Sequence, residues 1–178
     1  MRVADCRPFE IQDLLPSDGR FKIILFIGDT SDSSQLGMIN DLASELDGIL
    51  GKLAPSGHIS IMFEILTICS DTKASIQLGY EKLPILLRSH WSRYVFLHCL
   101  WLSIIFDSHI PRVFIDDRDL KGISGGDGYK NYGIDSKTGA IVVVRPDGYV
   151  GMISPLNKTG DIDMYFGSFA ISRERDII

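Results

Sequence analysis

The stretch Tyr132–Gly151, YGIDSKTGAIVVVRPDGYVG, decides how the chain is laid out. Ile141, Val142, Val143 and Val144 form a run of four β-branched residues. Such a run suits a strand covered on both faces, because a branched Cβ crowds the preceding turn of a helix but packs well on a pleated surface. Arg145 ends the run and Pro146-Asp147-Gly148 follows. Proline presets φ at the first corner of a turn, aspartate tolerates the bend, and glycine supplies positive φ at the exit. Tyr149-Val150-Gly151-Met152-Ile153 then reads as the returning strand of a hairpin with a bulged, glycine-containing loop. Upstream, Tyr132-Gly133-Ile134 reads as a helix end with glycine just past it. The predicted unit is helix end, buried strand, tight turn, edge strand.

Working outward, Tyr129 to Tyr132 reads as a short helix, Gly122 to Gly128 as a flexible loop, and Val113-Phe114-Ile115 as a short strand ended by Asp116-Asp117. Phe21 to Ile27 (FKIILFI) is a nearly all-apolar strand closed by Gly28-Asp29. Asp32, Ser33 or Ser34 can cap the helix that follows. Its apolar positions Leu36, Ile39, Leu42, Leu46, Ile49 and Leu53 recur at three- and four-residue steps, with Asn40, Asp41, Ser44, Glu45 and Asp47 facing water. Pro55-Ser56-Gly57 ends it. Ile59 to Cys69 is predicted as a second strand, with Glu64 at an outward-facing or edge position. Ser70 to Pro84 is expected to be loop with one helical turn at most. Asp161 is the expected N-cap of a last helix carrying Ile162, Tyr165, Phe166 and Phe169 on one side. Residues 1–20 read as an irregular lead-in and 173–178 as a frayed tail. A strand–helix–strand start implies a right-handed parallel crossover. With the hairpin and final helix, it predicts an α/β, thioredoxin-like domain over 1–178, a central mixed sheet flanked by helices.

The 178 residues are 45% apolar and 23% charged, the balance of a globular protein with one sizeable core. A net charge of −5 without any basic run argues against nucleic acid or a membrane as partner. Cys6, Cys69 and Cys99 are far apart and form no C-x-x-C. That is neither a disulfide framework nor a zinc site and fits a reducing compartment. The N-terminus is polar from Arg2 on and reads as no signal peptide, so a cytoplasmic location is expected.

In a thioredoxin-like redox protein the nucleophilic cysteine sits where the first main strand meets its helix, whose N-terminus lowers the thiol pKa. Here that junction is Gly28-Asp29-Thr30-Ser31-Asp32-Ser33, with no cysteine and two aspartates that would oppose a thiolate. The facing proline, normally cis and just before the hairpin, is replaced by Gly139-Ala140. The redox elements are thus missing, and neither disulfide exchange nor peroxide reduction is expected. Cys69 and Cys99 read as small core residues and Cys6 as exposed. His58, His90, His98 and His109 lack metal-ligand spacing. Ser124-Gly125-Gly126-Asp127-Gly128 lacks the last glycine of G-x-G-x-x-G, which would fall at Asn131, and reads as a flexible loop. Asp116, Asp117 and Asp119 lack EF-hand spacing and read as a solvated strand end. Arg145, with Asp147 and Tyr149 in the same turn, is expected to make a structural salt bridge or, second, to serve an interface. No catalytic, cofactor-binding or metal residue is assigned.

The chain resembles the C-terminal domain of the FAD-dependent phenol hydroxylase (phenol 2-monooxygenase) family. The residues that carry the resemblance are ADCRP (Ala4–Pro8), LLPSDGRFKIILFIGD (Leu14–Asp29), VFIDD (Val113–Asp117), YKNYGID (Tyr129–Asp135), GAIVVVRPDGYVG (Gly139–Gly151) and DIDMYF (Asp161–Phe166). The resemblance implies a thioredoxin-like fold without redox cysteines that contributes to dimerisation. FAD, NADPH and aromatic hydroxylation belong to the preceding domains of that family, so this chain is expected to hold no cofactor. It is expected to act as a non-catalytic interaction domain, a truncated member whose partner is itself or a flavoprotein hydroxylase. A stand-alone thioredoxin-fold oxidoreductase and a fragment of a longer phenol 2-monooxygenase reading frame are the alternatives.

Tyr94 to Pro111, YVFLHCLWLSIIFDSHIP, is absent from the family pattern. Tyr94 to Phe106 is nearly all apolar, interrupted only by His98 and Ser103. It is too short for a bilayer span, which needs about 20 residues, and exposed it would be an aggregation hazard. Arg93-Tyr94-Val95 can be encoded across GTATGT, a common 5′ splice sequence, and an AGN codon for Arg112 supplies a closing AG in frame. The segment is therefore expected to be a translated intron, with a real insertion forming an extra buried helix or strand as the alternative.

Overall fold

In the computed structural model, which describes residues 2, 8–72, 80–88, 113–118, 122, 123 and 125–169, β1 (Phe21–Gly28) is the middle strand of a five-stranded sheet. Its seven buried positions in a row leave no polar face, which is the pattern of a strand flanked on both sides and covered above and below. β2 (Phe63–Cys69) runs parallel to it, with Phe21 opposite Phe63 and Leu25 opposite Thr67. β4 (Ala140–Val144) runs antiparallel on the other side, with Ile24 opposite Val142. β3 (Val113–Ile115) adds in parallel outside β2, and β5 (Val150–Pro155) adds antiparallel outside β4, giving the order β3-β2-β1-β4-β5. The core β2-β1-β4-β5, parallel then twice antiparallel, is the predicted thioredoxin-like layout.

The link between β1 and β2 is α1 (Ser33–Leu53), whose N-cap Asp32 accepts the Ser34 amide at 2.9 Å. Ile39, Leu42, Leu46, Leu50 and Leu53 face the sheet; Leu50 is fully buried and Ile49 only half-buried, a small rotation from the predicted stripe. Gly48 and Gly51 do not interrupt the helix. The last helix, α4 (Gly160–Gly167), joins α1 on this face, burying Ile162 and Phe166. The Phe166 ring meets Phe21 and Phe63 edge-on, each with centroids 5.1 Å apart.

The other face is covered by the lead-in. Phe9, Ile11, Leu14 and Leu15, around a 3-10 turn at Ile11–Leu14, pack on Ile24, Phe26, Leu66, Ile68, Val142 and Val144. α3 (Gly128–Asn131) adds the buried Tyr129. The lead-in is thus a structural layer as well as an irregular one. Arg2 forms an isolated antiparallel bridge to Phe114 at the β3 edge.

Three expectations are corrected. Ile59–Met62 is one turn of helix, α2, not the start of the strand. β1 begins at Phe21, whose register partner is Phe63, so nothing stands beside residues 59–62 for them to pair with. Glu64 is neither outward-facing nor at an edge but is buried on an interior strand. Its carboxylate accepts from Arg20 Nη2 at 3.0 Å and Lys22 Nζ at 2.8 Å, and both cations also reach Asp18. A buried carboxylate is tolerated only with such partners. Finally, the N-cap of α4 is Thr159, not Asp161. Asp161 lies in the first turn, where its carboxylate accepts the Ser154 hydroxyl, while the Thr159 hydroxyl is bonded to Glu45. Phe169 lies just beyond α4, stacked on Phe21 and half-exposed. The 94–111 segment and the 173–178 tail fall outside the described residues.

Candidate functional site

The C-terminal ends of β1, β2 and β3 form the end of the sheet where a thioredoxin-like fold carries its chemistry, and among the described residues there Gly28, Asp29, Thr30, Asp71, Asp116 and Tyr129 are tied into hydrogen bonds. At the β1–α1 junction Gly28 has φ +80°, and a Cβ on it would lie 2.3 Å from Gln35 Oε1 and 2.6 Å from Ser136 O, so only glycine fits. The Asp29 amide donates to Gln35 Oε1 at 2.6 Å. The Thr30 amide and hydroxyl donate to the two oxygens of buried Asp71 at 2.9 and 2.8 Å. The Ser31 amide and hydroxyl donate to Asp29 Oδ1 at 2.8 and 2.6 Å. These bonds, the Ser31 hydroxyl first, hold the Asp29 carboxyl below the usual carboxylate range, and Ser34 does the same for Asp32.

Cys69, at the end of β2, is fully buried. Burial first, then the Asp71 and Asp29 charges, push its thiol well above the ordinary cysteine value, the opposite of what a thiolate nucleophile needs. Above it, the Tyr129 hydroxyl accepts the Gly28 amide at 2.8 Å and donates to Ile68 O at 2.9 Å. Gly139 stands just before β4 with φ +62°, and a Cβ there would come within 2.3 Å of Phe26 O. The position opposite the junction is therefore tied to glycine by contact with β1.

The glycine-rich loop does not fit a dinucleotide. Gly125 and Gly126 have positive φ and Asp127 precedes α3. The first amides of α3 are taken by Asp116, which accepts Gly128 N–H at 2.6 Å and Tyr129 N–H at 2.9 Å. A carboxylate already occupies the place a phosphate would need. That accounts for Asp116, while Asp117 accepts its neighbour's Arg118 amide at 2.8 Å. Among the described residues no three His, Cys, Asp or Glu side chains gather to hold a metal. His58 is exposed; Asp119, Ser124, Cys6, Cys99, His90, His98 and His109 fall outside the described residues.

The second place singled out by the sequence is the β4–β5 hairpin. Gly148 has φ +86° and its amide donates to Arg145 O at 2.9 Å, closing the predicted turn. Arg145 Nη2 lies 2.6 Å from Asp147 Oδ2, with both side chains about half exposed. The pair is local to the turn and solvated, worth at most about 1 kcal/mol. Tyr149 is 72% exposed beside it. The structure brings Arg145, Asp147 and Tyr149 together at one tip but joins none of them to the β1–α1 junction.

Three residues that matter at the junction have no separate signal in the sequence: Asp71, Asp116 and Tyr129. Asp116 could have been marked as a cap from its place after a strand, but its partners lie across a glycine-rich loop. Tyr129 reads as one face of a short helix, and only the tertiary fold points its hydroxyl at Gly28.

The sequence profile described as phenol hydroxylase, C-terminal dimerisation domain, matches residues 1–174. The chain is 28% identical over 173 residues to the FAD-dependent monooxygenase terD of Aspergillus terreus, covering 95% of this chain and 26% of that protein. It is 31% identical over 174 residues to the 3-hydroxybenzoate 4-monooxygenase of Comamonas testosteroni, covering 95% of this chain and 25% of that one. The chain thus spans about a quarter of the length of these curated relatives. A crystal structure of a thioredoxin-like protein from Parabacteroides distasonis matches at a TM-score of 0.42 and 14% identity, covering 82% of this chain and 81% of the other.

Proposed function

The chain belongs to the phenol hydroxylase C-terminal dimerisation-domain family, and from that premise we propose that it is a non-catalytic self-association domain serving a flavin-dependent aromatic monooxygenase. The observation that carries the reading is the saturated β1–α1 junction. Gly28 is bonded to Tyr129, Asp29 to Gln35 and Thr30 to Asp71, and the cysteine beneath them is buried with its thiol held protonated. The fold is kept while its reactive end is closed, which favours a role in contacts between proteins. FAD, NADPH and aromatic substrate are proposed to act on other parts of such an enzyme. A thioredoxin-fold oxidoreductase would need a thiol at Gly28–Ser33, and none is there.

The partner is proposed to be a second copy or a related flavoprotein hydroxylase, with the hairpin tip of Arg145, Asp147 and Tyr149 close to the contact. Among the described residues no helix is long and apolar enough to cross a membrane, and a cytoplasmic location is proposed. Light scattering on the purified chain tests the reading together with an absorbance titration against FAD. The expected result is a concentration-dependent dimer that takes up no flavin. A strict monomer with no affinity for a flavoprotein hydroxylase body, or a stoichiometric flavin spectrum, would overturn it.

A further inference from the structure

The two edges of the sheet are finished differently. The β3 edge is bridged by Arg2 opposite Phe114. At the β5 edge, among the described residues, no strand pairs outside Val150–Pro155. The faces differ as well. The layer formed by Phe9, Ile11, Leu14, Leu15, Tyr129 and Ile134 covers β1, β2 and β4 but ends before β5. The register sets Val150 beside Val144 and Ile153 beside Val142, on that same face. Both are open where their neighbours are sealed: Val150 is 52% exposed and Ile153 61%, against 3% and 0% for Val144 and Val142. Half-exposed Tyr132 stands across a groove of about 580 Å³ from Ile153, with Ile134, Ala140 and Pro155 in its wall.

We propose that this open face of β5, carrying Val150 and Ile153 beside the Tyr132 groove, is the surface on which a second copy of this chain docks. The proposal rests on the self-association reading above; it adds where and how. The family is described as a dimerisation domain, which argues for a second copy as occupant. The form of β5 argues for face-to-face contact over strand addition. The β4–β5 register breaks between Val143 and Val144, leaving a bulge at Val150 and Gly151, and β5 ends at Pro155, which has no N–H to donate. A bulge and a proline are how native edges resist pairing with another strand, and they leave the side chains as the adhesive part. Homodimer contacts are usually isologous, the same patch on both copies. Because Gly151 bulges out of the ladder, Val150 and Ile153 stand opposite Val144 and Val142, two positions or about 7 Å apart along the strand. A two-fold axis passing between them sets Val150 of each copy against Ile153 of the other, with the groove at either end taking the rim. The apolar patch is then complementary to itself. The charges near it, Asp135 and Lys137 at one end and the Arg145–Asp147 pair at the other, are of mixed sign and fall at the rim.

The test compares the wild-type chain with Val150→Glu and Ile153→Glu by sedimentation or light scattering over a dilution series. Ile85→Glu is the control, since Ile85 is 79% exposed and is not on this face. Because an isologous contact counts each substitution twice, either β5 variant is expected to weaken the dimer by on the order of a hundredfold or more, while the control matches wild type. Amide hydrogen exchange on the unaltered chain supplies a second readout that does not depend on a variant folding. Amides at 132–134 and 150–154 are expected to gain protection as concentration rises through the dimer range. A wild-type monomer would defeat the self-association reading itself. A wild-type dimer with unchanged affinity in both variants, or with protection gained only elsewhere, would defeat this surface alone.

Discussion

Tyr129 and Gly28 are joined across the end of the sheet: the tyrosine hydroxyl accepts the glycine amide at 2.8 Å and donates its own hydrogen bond to Ile68 O at 2.9 Å. One side chain from α3 therefore satisfies the last amide of β1 and a carbonyl of β2 at once. Burial raises its phenol well above the ordinary tyrosine value, so the proton stays on oxygen. Tyr129→Phe keeps the ring against Phe26, 5.1 Å away edge-on, but leaves both backbone groups unpaired. An unsatisfied buried polar group costs about 1–3 kcal/mol, so a loss of roughly 2–4 kcal/mol is expected in urea unfolding. A loss under half a unit would mean that the bond carries little.

Gly139 is held by contact as well as by conformation. Gly139→Ala would place a Cβ 2.3 Å from Phe26 O in the middle strand. Gly133→Ala has a similar φ, +65°, with nothing within 4 Å of its Cβ. The left-handed region alone costs roughly 1–2 kcal/mol. Gly133→Ala is expected to lose about that, and Gly139→Ala clearly more or to fail to fold. Equal Tm values for the two would contradict the close approach.

The charge cluster under β1 predicts an acid-sensitive step. Burial works against the Asp18 charge, but hydrogen bonds from Arg20 and Lys22 outweigh it and hold the carboxyl far below the usual range. With the folded pKa below the unfolded one, the stabilisation is complete above about pH 5, since the free carboxyl titrates near 3.9, and fades as pH falls below that. Asp18→Asn should therefore destabilise most at neutral pH and flatten the slope of unfolding free energy between about pH 5 and pH 2. An unchanged slope would remove Asp18 from the account.

The two ends of the 89–112 stretch meet at one residue. Thr67 donates its hydroxyl to Leu87 O at 2.7 Å, and Thr67 is also the register partner of Val113. Joining Arg88 to Val113 through the residues up to Arg93 asks a handful of residues to cross a short gap, well within about 3.3 Å for each. A chain lacking 94–111 is thus expected to fold with the same cooperative melt and better solubility, and sequencing of the transcript to find the matching bases removed. A mature message that keeps them, together with a deletion that abolishes folding, would refute the intron.

Some of this was plain in the residues. Residues Ile141 to Val144, the Pro146-Asp147-Gly148 turn and the stripe of α1 carry their structure locally, by branching, turn chemistry and period. What was not legible depends on distant partners. Glu64 looks like a stray charge in an apolar strand until Arg20, just before β1, and Lys22, within it, reach its carboxylate. Residues Ile59 to Met62 have strand-like composition, and only the end of β1 decides that they have no strand to pair with. Asp161 has the chemistry of a cap, but Ser154 claims its carboxylate first. The candidate site was legible as an absence at Gly28–Ser33, yet Asp71 and Tyr129, which fill that absence, were not.

The Arg2 bridge also marks the edge of the sheet farthest from β5. Arg2 lies beside β3, while the open face proposed for docking is on β5, four strand spacings from β3, or about 19 Å. Arg2 of each copy would then sit at the edge of the sheet away from the proposed contact, so labels attached there should report the spacing of a dimer without disturbing it.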